Sequence, residues 1–129
     1  MTAPFYRFPD VQRVVVAELE TLAGAGHAAI ETPTDLAERL PFVRVMRSGG
    51  YSDRLTDHGV VDIDVFAATY TAVELLAEQI RQHLVGPPPP IGVLDLVEVE
   101  VAPRELPWGD GTVRRFGATY RTHARRRRA

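Results

Sequence analysis

The stretch Val60-Val61-Asp62-Ile63-Asp64-Val65-Phe66-Ala67 (VVDIDVFA, residues 60–67) decides the fold. Val61, Ile63 and Val65 alternate strictly with Asp62 and Asp64. This is the two-residue period of a strand with one face in a core and the other toward water. Upstream, residues 42–47 (FVRVMR) are rich in β-branched and aromatic side chains and read as a second strand. Between them, residues 48–59 (SGGYSDRLTDHG) are polar and glycine-bearing, with only Tyr51 and Leu55 apolar. That composition predicts a long, partly mobile hairpin connection whose length invites a docking role.

Downstream, residues 69–85 predict a long helix. Val73, Leu76, Ala77, Ile80 and Leu84 form a buried stripe, Thr71 with Glu74 fits a capping box, and Gly86 supplies the stop. A matching helix opens the chain: Val11, Val14, Val15, Leu19 and Leu22 lie on one stripe, Pro9 and Asp10 suit its start, and Gly24 and Gly26 end it. Residues 27–31 fit a short edge strand, followed by a turn or short helix through Leu40. Pro87 to Pro90 predict an extended, semi-rigid crossover within the domain. Residues 91–102 then read as a strand in which Val97, Val99 and Val101 oppose Glu98 and Glu100. Leu94 and Leu96 break that parity, which implies a bulge or a start buried on both faces. After a loop at 103–111 with Trp108 at its tip, residues 113–123 alternate Phe116, Ala118 and Tyr120 with Arg115, Thr119 and Arg121. The expected class is α+β: a mostly antiparallel sheet of four to five strands with two long helices packed on one face. It forms a single domain over residues 1–124, followed by an arginine-rich tail at 125–129.

Composition narrows the function. The chain of 129 residues has no cysteine, which excludes disulfides and cysteine-based zinc or redox sites. Neither a signal peptide nor a run of about 18 apolar residues is visible, so an aqueous compartment is expected. All 15 basic residues are arginine, which fits a GC-rich genome. The net charge of −2 hides an uneven division. Residues 1–113 hold 8 arginines against 17 acids, a balance of −9, whereas residues 114–129 hold 7 arginines and no acid.

No chemistry-bearing motif stands out. His58 with Asp62 and Asp64 has the residue types of a divalent-metal site in a nuclease or phosphatase. Alternating acids are also the ordinary polar half of an amphipathic strand, with Arg44, Arg115 and Arg121 available to pair with them across a sheet. No serine lies in a nucleophile elbow, no phosphate-binding loop is present, and His27, His83 and His123 lack ligand spacing. No catalytic residue, cofactor or metal is therefore expected. Trp108 reads either as packed under its own loop or as an interface anchor. The run Arg125 to Arg128 suits a solvated tail, a salt-dependent contact to DNA or docking on an acidic surface.

Several segments together resemble the tail terminator proteins of long-tailed, siphovirus-type bacteriophages of actinobacteria. They are residues 40–45 (LPFVRV), Gly49-Gly50, Thr56-Asp57, residues 61–67 (VDIDVFA), residues 77–81 (AEQIR), Leu106-Pro107-Trp108 and residues 113–121 (VRRFGATYR). The resemblance implies a non-enzymatic virion protein that forms a homohexameric ring. The ring caps the tail tube, ends its polymerisation and offers the surface on which the head docks. Its partners would be other copies of itself, the major tail tube protein and a head completion or connector protein. Genomic DNA would pass through the lumen without specific binding, and no membrane is involved. Its place would be the head–tail junction of the virion, reached from the host cytoplasm during assembly. On this view Arg114, Arg115 and Arg121 contribute to a basic surface, and Asp62, Asp64, Glu98 and Glu100 to an acidic one. The 48–59 loop, with Tyr51, Asp53 and Arg54, and the Trp108 loop are candidates for touching the tube or the neck. The alternatives are another head-to-tail connector, such as a stopper protein, a DNA-binding accessory module using the arginine-rich end, and a metal-dependent hydrolase built on His58, Asp62 and Asp64.

Overall fold

A computed structural model describes residues 5–85, 90–109 and 111–128. Its elements, in chain order, are β1 (Tyr6–Arg7), α1 (Val11–Ala23), β2 (Ala28–Ala29), a 3-10 turn (Leu36–Glu38), β3 (Phe42–Ser52), β4 (Thr56–Ala67), α2 (Tyr70–Leu84), β5 (Leu96–Leu106), β6 (Arg114–Arg125) and β7 (Arg127–Arg128). Five strands form the main sheet in the order β2-β3-β4-β6-β5, and β1 and β7 form a separate antiparallel ribbon.

The sheet is mixed, which corrects the expectation of a mostly antiparallel sheet carrying two long helices on one face. β2 pairs with β3 in parallel, whereas β3/β4, β4/β6 and β6/β5 are antiparallel. The direction of a two-residue strand is set by the link that returns the chain to the sheet, and no local pattern encodes it. The helices also divide the sheet between them. α1 lies against β2 and β3, while α2 lies against β4, β5 and β6. Strand dominates the balance, because β3 to β6 run 11 or 12 residues each against 13 and 15 for the helices.

The extra strand length comes largely from residues 48–59, which are not a long loop. β3 continues to Ser52 and β4 begins at Thr56, leaving residues 53–55 as the turn. A register shift between Arg47 and Gly49 absorbs one residue as a bulge, after which Gly50, Tyr51 and Ser52 pair with Gly59, His58 and Asp57. Gly50 has φ +112°, and a Cβ there would stand 2.0 Å from the His58 carbonyl oxygen. Only glycine fits that position. The expected strand over 91–102 is displaced as well. Residues 91–95 form a turn in which the Leu94 N–H donates to the Ile91 carbonyl at 3.0 Å, and β5 starts at Leu96. The parity break belongs partly to that turn and partly to register shifts after Val99 and Val101. β5 is an edge strand, which is why it tolerates Pro103.

Asp10 caps α1, its carboxylate accepting from the Arg13 backbone N–H at 3.3 Å. Thr69, and not the expected Thr71, caps α2 by accepting from the Ala72 N–H at 3.2 Å. The expected stop at Gly86 and the extended segment at Pro87 to Pro89 lie outside the described residues. Val11, Val15 and Leu19 from α1 and Val73, Ala77, Ile80 and Leu84 from α2 enter one core with Val43, Val45, Val61, Ile63, Val65, Phe116, Ala118 and Tyr120. Burial pushes the Tyr120 hydroxyl up to about 12. A second, smaller cluster joins Leu36, Phe42, Phe66 and Val113. Among the described residues no helix is long and apolar enough to cross a membrane.

Because Gly50 is held both by its positive φ and by the adjacent carbonyl, Gly50→Ala is expected to cost about 2 kcal/mol or more. Chemical denaturation would register this as a lower midpoint. Gly49→Ala, with nothing within 4 Å of its added Cβ, serves as the mild control.

Candidate functional site

The two-residue period of β4 sends its odd-numbered side chains into the core and its even-numbered ones to the opposite face. Register brings Arg44 of β3 and Gly117 of β6 alongside Asp64, and Met46 and Thr119 alongside Asp62. The outcome is a polar face whose charges are largely matched strand to strand. Asp64 sits at its centre with a side chain 5% exposed, between Arg44 and Arg115. Arg44 donates through Nη2 to one carboxylate oxygen. Arg115 donates through Nη2 at 3.0 Å and Nε at 3.2 Å to the other. Gly117 leaves room for this clamp, since a Cβ there would stand 3.1 Å from Asp64 Oδ1 and 2.5 Å from a Leu106 methyl.

Along the same face Thr119 donates its hydroxyl to Asp62 at 2.7 Å. Arg121 donates to Glu100 at 2.9 Å and 3.1 Å, and His123 Nε2 lies 3.4 Å from Glu98. Arg114 binds Glu105 at 2.7 Å, and Arg125, the last residue of β6, binds Asp95 at 3.1 Å. Arg114, with the parity of Phe116 and its guanidinium over the Tyr70 ring, lies on the helix side, whereas the other acids and arginines assigned from sequence to two separate surfaces interleave on one sheet face. Arg127 and Arg128, expected within a tail, pair with Arg7 and Tyr6.

Near the β3–β4 turn, Tyr51 stacks on His58 with ring centroids 4.5 Å apart, and His58 meets His123 edge to face at 4.8 Å. These three, with Glu100 and Arg121, line a shallow cleft of about 230 Å³. Asp53 forms the turn by accepting the backbone N–H groups of Leu55 and Thr56 at 2.8 Å and 2.7 Å. Those two bonds, then His58, hold its carboxyl below the ordinary carboxylate range. At the other end of the sheet Trp108 packs edge to face on Phe66 at 4.8 Å, with the Arg115 guanidinium 5.7 Å from its ring. It remains 39% exposed.

The structure separates the residues of the candidate metal site. His58 turns to Asp53, Asp62 to Thr119, and Asp64 to two arginines. Among the described residues no group of three or more histidines or acids is placed to hold a metal ion.

One part-buried ion pair joins the expected 42–47 strand to the stretch expected to be a loop, which is why those expected elements do not reveal it. Asp57, on the core side of β4, accepts both Arg47 Nη groups at 2.6 Å and 2.8 Å and the Ser52 hydroxyl at 2.7 Å. The Arg47 backbone N–H in turn donates to the side chain of Gln12 on α1 at 2.7 Å. Extending the 61, 63, 65 alternation backward through Gly59 to Asp57 would have found this site. The Arg47 guanidinium, opposed by burial and helped by Ser52, holds the Asp57 carboxyl below the usual range.

No protein-family model matches the sequence, and no curated protein matches it. Among solved structures, the chain is similar to one in the virion of a native gene transfer agent particle, with a TM-score of 0.59 and 18% sequence identity. The match covers 84% of this chain and 85% of that one. The two share a fold over nearly their whole lengths.

Two outcomes follow from the buried acids. Replacing Asp64 by Asn leaves two part-buried arginines without their counter-charge, and a loss of about 3–5 kcal/mol is expected in thermal or chemical unfolding. For Asp57, a folded pKa below its unfolded value of about 3.9 means that the unfolded chain takes up the proton first. Its contribution is therefore whole above about pH 4 and fades as pH falls through the depressed value. Stability measured against pH below 4 should fall less steeply in Asp57→Asn than in the unsubstituted protein.

Proposed function

We propose that this chain is a structural protein of a phage-type virion, and specifically a tail terminator. The observation that carries the reading is the fold shared with a chain of a gene transfer agent virion over 84% of this chain. The segments from Leu40 to Arg121 that resemble tail terminators supply the finer assignment. In this reading the protein works by contact and not by catalysis. Copies assemble into a hexameric ring on the finished tail tube, further tube subunits are excluded, and a head completion or connector protein docks on the exposed side. The virion genome passes through the lumen, and acidic residues facing it repel the phosphates and keep them moving.

The site chemistry supports a role in contact. The outer sheet face spends its charged side chains on one another, which makes a rigid surface suited to docking and leaves little to act on a substrate. Imaging of the purified protein with isolated tail tubes tests the proposal. Six-fold rings at one end of each tube are expected, and monomers that never associate with tubes would overturn it. Rings that bind the head-side connector but ignore tube ends would reassign the chain to the stopper position.

A further inference from the structure

Removing every ion pair made within the chain exposes a charge pattern that the totals hide. Among the described residues, the arginines whose side chains meet no carboxylate are Arg7, Arg54, Arg104, Arg126 and Arg127. Four of the five gather at one end of the sheet. Arg54 is in the β3–β4 turn, and the β1/β7 ribbon bearing Arg7 and Arg127 continues from Arg125, which pairs with Thr56 beside that turn. Among the described residues, the carboxylates that meet no cation and accept no hydrogen bond are Glu31, Glu38 and Glu74, while Asp53, next to Arg54, keeps its charge as it accepts the N–H groups of the turn. Two of these belong to the opposite end. Glu38 is in the 3-10 turn whose Leu36 packs on Phe42 and Phe66, and Glu74 is on the second turn of α2, just beyond the end of β4. What remains is a cluster of unpaired arginines at the turn end of the strands and, at the other end, the unpaired carboxylates Glu38 and Glu74 with a single unpaired arginine, Arg104, opposite Gly117.

Each end also carries an apolar feature of the opposite shape. At the positive end Leu55, next to Arg54, is 71% exposed at the turn. At the negative end a groove of about 410 Å³ runs between Leu22, Leu40, Pro41, Ala67, Ala72 and Leu75, the last of these following Glu74 on α2. β4 is 12 residues long, so turn and groove are separated by most of roughly 35–40 Å and cannot meet within one chain. The cationic turn end of one copy is repelled by the same end of another and finds unpaired carboxylates, Glu38 and Glu74, at the opposite end, so copies are steered head to tail. A head-to-tail contact is the kind that closes into a ring.

We propose that the β3–β4 turn of one copy docks on the next copy, with Leu55 in the groove at Leu22, Leu40 and Leu75 and Arg54 facing Glu74. This deepens the ring reading above, on which it rests, by naming the contact between neighbours.

The absence of native cysteine gives a direct test. Leu55 and Leu75 are both exposed, so Leu55→Cys with Leu75→Cys should fold normally, which circular dichroism can check. A disulfide needs Cα atoms within about 7 Å, so any cross-link between these sites joins two copies. Mild oxidation of the double variant should give a ladder of linked oligomers on a non-reducing gel, while each single variant stays unlinked. A double variant that remains monomeric, or dimers from Leu55→Cys alone, would overturn the contact. Arg54→Glu should abolish association, and adding Glu74→Arg should restore it. DNA binding that is lost with Arg54→Glu and does not return with the charge swap would assign the cationic end to nucleic acid instead. Six-fold rings of the unsubstituted protein alongside a double variant that never cross-links would sink this contact and leave the ring reading standing. Cross-linked open chains with no rings on tubes would do the reverse.

Discussion

β4 is hydrogen-bonded along almost its whole length on both sides, to β3 and to β6, and nearly everything else depends on that constraint. A central strand cannot tilt one side chain without disturbing two ladders, so its two-residue period is imposed on both neighbours. Val61, Ile63 and Val65 fix the core that receives α1 and α2. Asp62 and Asp64 are thereby committed to the other face, where Thr119, Arg44 and Arg115 must meet them. The Asp64 clamp is tolerable because two guanidinium groups and the space above Gly117 arrive together. A buried carboxylate with neither would cost several kcal/mol.

The same constraint gives the polar face its character. Once each strand position is locked, matched charges on neighbouring strands hold their partners with little freedom to serve another ligand. Surface ion pairs of this kind contribute modestly to stability one by one. Their larger effect is to make the face electrically quiet and to leave most of the unmatched arginines at the β3–β4 turn end of the strands. An apparently acidic body with a basic terminus thereby becomes a molecule with one cationic end. For a protein proposed to build a ring, the position of that cationic end matters more than the net charge of −2.

The likeness to a chain of a gene transfer agent virion is one of fold, at 18% identity. At that distance, side chains diverge while the order of strands and helices persists, because the order is set by packing layers that many sequences satisfy. The proposed terminator role therefore draws on the fold for its broad class and on this chain's own residues for detail.

The sequence by itself determined both helices, the alternation in β4 and β6, and the cross-strand options of Asp64 and Arg121, because periods of 2 and 3.6 residues are local and survive any context. It misjudged residues 48–59, whose polar side chains imitate a loop. Strand pairing there rests on a bulge at Ser48, the positive φ of Gly50 and the Arg47–Asp57 pair, all of which need a partner strand to exist. It also placed the cap of α2 at Thr71, two residues past the Thr69 that caps it, and left open the direction of β2. Only the tertiary structure decided which charges are spent and which remain, because an ion pair such as Asp64 with Arg115 joins positions 51 residues apart that no local pattern relates.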